Sequence, residues 1–117
     1  MCASIVGLSY HLPKRVVTNY DLQVENPTWD MQRVAQKTGI ESRRIADDDQ
    51  TAADLAFTAA ELLFANGTVR RGEIDYLLFC TQSPDYVLPA SSCILQNRLH
   101  LSVNCGAIDF KIGRAHV

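Results

Sequence analysis

Residues 75–110, DYLLFCTQSPDYVLPASSCILQNRLHLSVNCGAIDF, contain the pattern that decides the fold. Residues 75–80 form a short, continuously apolar run, which is typical of a strand covered on both faces in a mainly parallel sheet. Pro89 suits the first turn of a helix that runs to about Leu99, and residues 103–110 are a second apolar strand. A strand, a helix and a strand in this order predict a right-handed crossover in an α/β sheet.

The sequence before this stretch predicts a further strand and two further helices. Residues 4–10, SIVGLSY, are rich in residue types that favour strands. The apolar positions of residues 29–38 follow helical spacing. Thr51 and Asp54 have the form of a capping box, and the helix that they begin would end at Gly67. Together these elements predict an α/β fold of βαβαβ order with a mainly parallel sheet.

Composition limits the classes of protein to which the chain can belong. Of its 117 residues, 47% are apolar and 21% are charged, which is typical of one soluble globular domain and excludes a collagen, a mucin or a disordered tail. The 11 basic and 13 acidic residues leave a formal charge of -2, and nothing in their distribution indicates nucleic-acid binding. No apolar run approaches the roughly 20 residues that span a bilayer, and no secretory signal is recognised. We therefore expect a cytoplasmic protein.

General motifs identify no active site. Two of the four cysteines lie in apolar runs and no CxxC pair exists, which predicts reduced core thiols rather than disulfides or a zinc site. The motifs of dinucleotide, phosphate-loop, zinc-protease and serine-hydrolase sites are missing. Spacing alone therefore predicts an α/β domain without a visible active site and without a metal.

A resemblance to a known family indicates a fold family and a function, which the spacing of residues alone does not. Four ordered blocks carry it: residues 10–22 (YHLPKRVVTNYDL), 37–46 (KTGIESRRIA), 51–67 (TAADLAFTAAELLFANG) and 74–101 (IDYLLFCTQSPDYVLPASSCILQNRLHL). In this order they resemble the amino-terminal part of β-ketoacyl-[acyl carrier protein] synthase III, which has the thiolase fold. The resemblance implies that residues 1–110 are an incomplete, truncated amino-terminal domain of that fold.

The resemblance also implies an activity. Members of the family condense a short acyl-CoA with malonyl carrier protein and release CO₂, in fatty acid synthesis. A cysteine takes up the acyl group, and a histidine and an asparagine stabilise the negative charge that develops. The implied partners are the acyl carrier protein and a second copy of the chain in a homodimer, with no nucleic acid and no membrane. Acyl-CoA and the malonyl carrier protein are substrates, and no cofactor is expected.

The family's nucleophile follows a strand that resembles GAIDF, residues 106–110. At its place this sequence has Arg114, within the ending KIGRAHV of residues 111–117. IGRAHV is the translation, in one reading frame, of a common short-read sequencing adapter. We therefore expect residues 111–117 to be adapter read-through. The catalytic cysteine, histidine and asparagine would then be missing, and the fragment itself would be inactive.

Three residues are predicted to bind substrate. Lys37 occupies a place where the family often has an arginine that contacts the CoA end, although an exposed lysine at a helix end is the alternative. Trp29 lies one helical turn before the family's adenine-stacking tryptophan, where this sequence has Arg33, so a role as a core anchor is the alternative. Leu88 precedes the proline of a loop that crosses the family's dimer interface. A leucine there would leave room for an acyl chain longer than acetyl, unless Leu88 only packs locally.

Other functions remain open at this point. The chain could belong to another thiolase-fold enzyme, such as a hydroxymethylglutaryl-CoA synthase or a ketosynthase of specialised metabolism. It could also be a noncatalytic subunit that pairs with an active synthase. The residue at the place of Arg114 in the intact gene would separate a noncatalytic subunit from the enzymes.

Overall fold

The computed structural model describes residues 2–113, which form two compact units. One unit contains residues 12–50 and the other contains the residues on either side of that segment. The elements of the first are β1 (Arg15–Thr18), α1 (Asn19–Glu25), α2 (Met31–Thr38) and β2 (Ser42–Ile45). The elements of the second are α3 (Ala52–Ala65), a 3-10 turn (Arg71–Glu73), β3 (Tyr76–Cys80), α4 (Ser91–Arg98) and β4 (Gly106–Phe110).

The unit of residues 12–50 is held together by a short antiparallel pair of strands and two capped helices. β1 and β2 pair from Arg15 opposite Ile45 to Thr18 opposite Ser42. Thr18 also begins α1, because its hydroxyl accepts from the backbone N–H of Asp21 at 3.2 Å. α2 ends at Gly39, whose φ of 71° lies in the left-handed region that glycine adopts without strain. The helix predicted over residues 29–38 is therefore confirmed from Met31 to Thr38, whereas residues 29 and 30 precede it.

The second unit contains the predicted strand–helix–strand crossover. β3 and β4 are parallel, with Tyr76 opposite Gly106 and Cys80 opposite Phe110, and α4 lies between them in sequence. α3 begins at the capping box, in which the backbone N–H of Asp54 donates to the Thr51 hydroxyl at 3.2 Å. The core of this unit consists of buried apolar side chains from α3, β3, α4 and the segment before β4: Ala53, Phe79, Leu95, Leu99, Leu101 and Cys105.

Two details of the predicted sheet are wrong. Residues 4–10 form no strand, and Ile5 in that segment is 91% exposed. The segment instead lies along α3, where the Ser9 hydroxyl donates to the Ala59 carbonyl at 2.6 Å. A strand requires a neighbouring backbone for its hydrogen bonds, which an apolar pattern does not supply. The described strands also form two separate pairs, of which only the β3–β4 pair is parallel.

The two faces of the β3–β4 sheet are covered unequally. Phe79 is buried on the face that contacts α4, whereas Tyr76, Leu78, Ile108 and Phe110 are exposed on the other face. Parallel sheets normally have both faces covered. Within residues 2–113 the second face is therefore an apolar surface of a kind that another part of a protein usually covers.

Candidate functional site

A cavity of about 310 Å³ lies at the carboxyl ends of β3 and β4. Its walls are the loop that leaves β3 and the end of β4, and they are lined by Thr81, Pro84, Tyr86, Val87, Ala90, Asp109, Phe110 and Lys111. In open α/β sheets, ligands bind outside the carboxyl ends of the strands. This position makes the cavity the candidate site of the described chain.

Hydrogen bonds fix the two ends of the loop that forms one wall. At its start, the backbone N–H of Thr81 donates to the Phe110 carbonyl at 3.2 Å and extends the pairing of β3 with β4. The Thr81 hydroxyl accepts from the backbone N–H of Ser83 at 3.1 Å. Near its end, the backbone N–H of Asp85 donates to the Ser91 hydroxyl at 3.3 Å. The loop is thus anchored to the sheet and to α4, while its apolar tip is exposed.

Asp109 ties the end of β4 to the first turn of α4. Its two carboxylate oxygens accept from the backbone N–H groups of Ser91 and Ser92, each at 2.7 Å. The N-cap residue, Ala90, has no side chain that could accept these bonds. Burial by itself raises the pKa of Asp109, but the hydrogen bonds from Ser92 and Ser91 outweigh it and lower the pKa below the ordinary aspartate value of 3.8. Asp109 is therefore a carboxylate at neutral pH.

Lys37 and Trp29 both present side chains to solvent. Lys37 lies in the last turn of α2, one turn from Arg33, so the two cations share one exposed face of that helix. Trp29 is 52% exposed, so the interpretation of Trp29 as a core anchor is wrong. The reason is that Trp29 precedes the N-cap Asp30 and lies outside the helix, whose buried face begins at Met31. The substrate-binding roles of Lys37 and Trp29 stay predictions.

Leu88 lies at the tip of the loop beside the cavity and is 83% exposed, so it does not pack locally as the alternative interpretation required. Tyr86 and Val87 of the same loop line the cavity, whereas Leu88 does not. Sequence reasoning missed Tyr86, Val87 and Asp109. The one signal for Asp109 was its place as the acidic residue of the otherwise apolar strand GAIDF.

The remaining sequence predictions concern cysteines, metals and the tail. Only Cys105 is a core thiol, while Cys80 and Cys93 are exposed, because Cys80 is on the uncovered sheet face and Cys93 is on the outer side of α4. Among residues 2–113 no three ligating side chains group closely enough to hold a metal ion. Arg114, at the predicted place of the nucleophile, lies outside the described residues. In the described chain, no helix is long and apolar enough to cross a membrane.

Comparisons with known proteins agree with the resemblance. No family model matches the chain. It is 38% identical over 109 residues to the β-ketoacyl-[acyl-carrier-protein] synthase III of Geobacillus kaustophilus, covering 93% of this chain and 34% of that protein. It is 42% identical over 103 residues to the protein of the same name from Rhizobium johnstonii, covering 87% of this chain and 32% of that protein.

Comparison with solved structures indicates the same family. A solved 3-oxoacyl-(acyl-carrier-protein) synthase III matches the chain with a TM-score of 0.83 and 46% identity, over 94% of this chain and 33% of that one. The chain thus spans about a third of the length of the curated relatives that it matches. In sequence and in its thiolase-like α/β fold, the chain belongs to the β-ketoacyl-[acyl-carrier-protein] synthase III family.

Proposed function

We propose that the chain is the amino-terminal part of an acyltransferase that condenses an acyl thioester with malonyl carrier protein in fatty acid synthesis. The observation that carries the proposal is the similarity of 93% of the chain to about a third of a β-ketoacyl-[acyl-carrier-protein] synthase III. The whole protein would act as a cytoplasmic homodimer, with acyl carrier protein as its partner. Its substrates would be acyl-CoA and malonyl carrier protein, and it would need no cofactor.

The proposed chemistry needs a cysteine at the place of Arg114, shortly after β4 ends at Phe110. Its thiolate attacks the carbonyl carbon of the acyl thioester, and CoA leaves as a thiolate. Malonyl carrier protein then loses CO₂, and the carbanion so formed attacks the acyl-enzyme and releases the cysteine thiolate. We propose that the cavity beside Phe110 holds the acyl group, because the cavity lies at the strand end from which the chain leads to the proposed nucleophile. A histidine and an asparagine would come from parts of the protein beyond this chain.

The genomic sequence tests whether the natural protein continues with this chemistry. We expect the locus to encode different residues in place of 111–117, with a cysteine codon at the place of Arg114. An in-frame stop codon after Val117 would contradict the proposal. A codon for another residue at that place would instead favour a noncatalytic synthase partner.

An assay of the intact gene product tests the reaction itself. With acetyl-CoA or a longer acyl-CoA and malonyl carrier protein, we expect formation of 3-oxoacyl carrier protein and CO₂. The 117-residue chain in the same assay is expected to show no product. Product formation from acetoacetyl-CoA without any carrier protein would favour a hydroxymethylglutaryl-CoA synthase instead. Different downstream catalytic residues, a histidine with a glutamate in place of asparagine, would agree with that outcome.

We further propose that α2 and the turn before it bind the CoA end of the substrate. The exposed ammonium of Lys37 can attract a phosphate as a point charge, supported by Arg33 on the same face of α2. The half-exposed indole of Trp29 offers a ring on which a base can stack. These residues depart from the family's arginine and tryptophan, which makes a donor bound to carrier protein a second candidate substrate.

The proposed role of Leu88 concerns the length of the acyl chain that the protein accepts, and it can be tested. In the proposed homodimer, Leu88 would reach toward the acyl pocket of the partner subunit. The Leu88→Phe variant of the intact protein is therefore expected to keep its kcat/KM for acetyl-CoA and to lose roughly 10- to 100-fold for an eight-carbon acyl-CoA, because the ring would occupy space for several methylenes in that pocket. Val103→Phe, at another exposed apolar position, serves as the matched control and should change neither value. Equal kcat/KM values of Leu88→Phe and wild type for the longer donor would contradict this role of Leu88.

A further inference from the structure

The end of β4 and the start of α4 are joined by one side chain. Both carboxylate oxygens of Asp109 are used in this contact, one for the backbone N–H of Ser91 and one for that of Ser92. Ser91 and Ser92 are fully buried, so water cannot replace the carboxylate as the acceptor without a rearrangement. The charge of Asp109 also faces the positive end of the α4 dipole, which stabilises the ionised form.

The same carboxylate connects the two walls of the cavity. Asp109 and the next two residues, Phe110 and Lys111, line the wall that ends β4. Ala90 lines the opposite wall and directly precedes Ser91, the first residue bound by Asp109. The distance between these walls therefore depends on the hydrogen bonds of Asp109. It also depends on the backbone hydrogen bond from Thr81 to Phe110, at the carboxyl ends of β3 and β4.

We infer that Asp109 is a positioning residue for the proposed condensation: it fixes the end of β4, from which the chain leads to the nucleophile, against the first turn of α4, where the loop of the opposite wall ends. This inference rests on the proposed function. Asp109 touches no reacting atom in this scheme and acts through the position of the strand end. A displacement of about 1 Å at a reacting group can cost on the order of 100-fold in rate, which sets the expected size of the effect.

Two substitutions of Asp109 in the intact gene product separate this role from general stability. Asp109→Ala removes both acceptors, and we expect kcat to fall about 100-fold. Asp109→Asn keeps the size and one acceptor but directs an amide N–H at the second backbone donor, and we expect a smaller fall of about 10-fold. KM for the acyl-CoA should stay within about threefold, because the residues proposed to bind CoA belong to the other unit.

The test measures kcat per acylated active site, KM, and hydrogen exchange of the Ser91 and Ser92 amides. Asp75→Asn is the matched control, since Asp75 is exposed and directly precedes β3, at the opposite end of the same sheet from Asp109. We expect faster exchange of both amides and a lower kcat per site in the Asp109 variants only. The titration of acylated sites corrects for any molecules that fail to fold.

The outcomes distinguish this inference from the proposed function. A wild-type protein that forms no 3-oxoacyl product would overturn the proposed function, whatever the exchange data show. If the wild type is active, an unchanged kcat per site in both Asp109 variants would overturn the positioning role. Faster amide exchange with an unchanged kcat per site would show that Asp109 is only a helix cap.

Discussion

Replacement of the nucleophilic cysteine by alanine in the intact gene product is expected to lower the condensation rate by a factor on the order of 10⁴ or more. The alanine side chain cannot form the acyl thioester, so the two-step route through an acyl-enzyme is lost. The cysteine in question is the one expected at the place of Arg114, after the end of β4. Mass spectrometry of the protein after incubation with acyl-CoA measures the acylated fraction, and product formation measures the rate.

Cys105 supplies the matched control for this prediction. Cys105 is the thiol adjacent to β4 in sequence, but it is buried in the core with Leu101 and precedes the strand rather than following it. Cys105→Ala is expected to remain acylated and active, with at most a modest loss of stability. An inactive, unacylated Cys105→Ala protein that is still folded would contradict the proposed place of the nucleophile.

Leu95→Ala is expected to lower the free energy of unfolding of the intact protein by about 2 to 5 kcal/mol. Leu95 lies in α4 and is 2% exposed, and it packs with Ala53 of α3 and Phe79 of β3. Truncation would remove its contacts and leave a cavity that the surrounding helices and sheet can fill only in part. Urea unfolding followed by circular dichroism measures the loss from the shift in midpoint.

Comparison of Leu78→Ala with Leu95→Ala tests whether the uncovered face of the β3–β4 sheet is covered in the intact protein. Leu78 has the same side chain but is 62% exposed in residues 2–113. We propose that further chain covers this face in the natural protein, in which case Leu78→Ala should also cost about 2 to 5 kcal/mol there. A loss under about 1 kcal/mol would show that the face stays open to solvent and would contradict that part of the proposal.

Local features of the structure could be predicted from local sequence. The Thr51–Asp54 capping box formed as expected, because its two partners are three residues apart and meet whenever the helix starts there. Gly39 ended α2 for a similarly local reason. The apolar runs around residues 76–80 and 106–110 formed a parallel pair joined by a helix. In each of these cases, the residues that interact are close in sequence or belong to one crossover.

The predictions that were wrong concern features that depend on contacts with other parts of the chain. Residues 4–10 have the residue types of a strand, yet no described strand pairs with them. Trp29 was interpreted as a core anchor, but the position of the α2 cap left it outside the helix and half exposed. The functional predictions for Lys37 and Leu88 came from the family resemblance, since neither position has a pattern of its own. Their exposure agrees with a binding role and does not test it.

The sequence by itself determined the family, the capped helices and the strand–helix–strand crossover, because motif order, caps and apolar runs are encoded by neighbouring residues. Only the tertiary structure decided which residues line the cavity and what Asp109 does. Its partners, Ser91 and Ser92, are 18 and 17 residues away, and no local pattern relates an aspartate at the end of a strand to two backbone N–H groups at the start of a helix. That contact exists because the crossover brings the carboxyl end of β4 beside the first turn of α4. Two buried N–H donors there need an acceptor, and the helix dipole favours a negatively charged one.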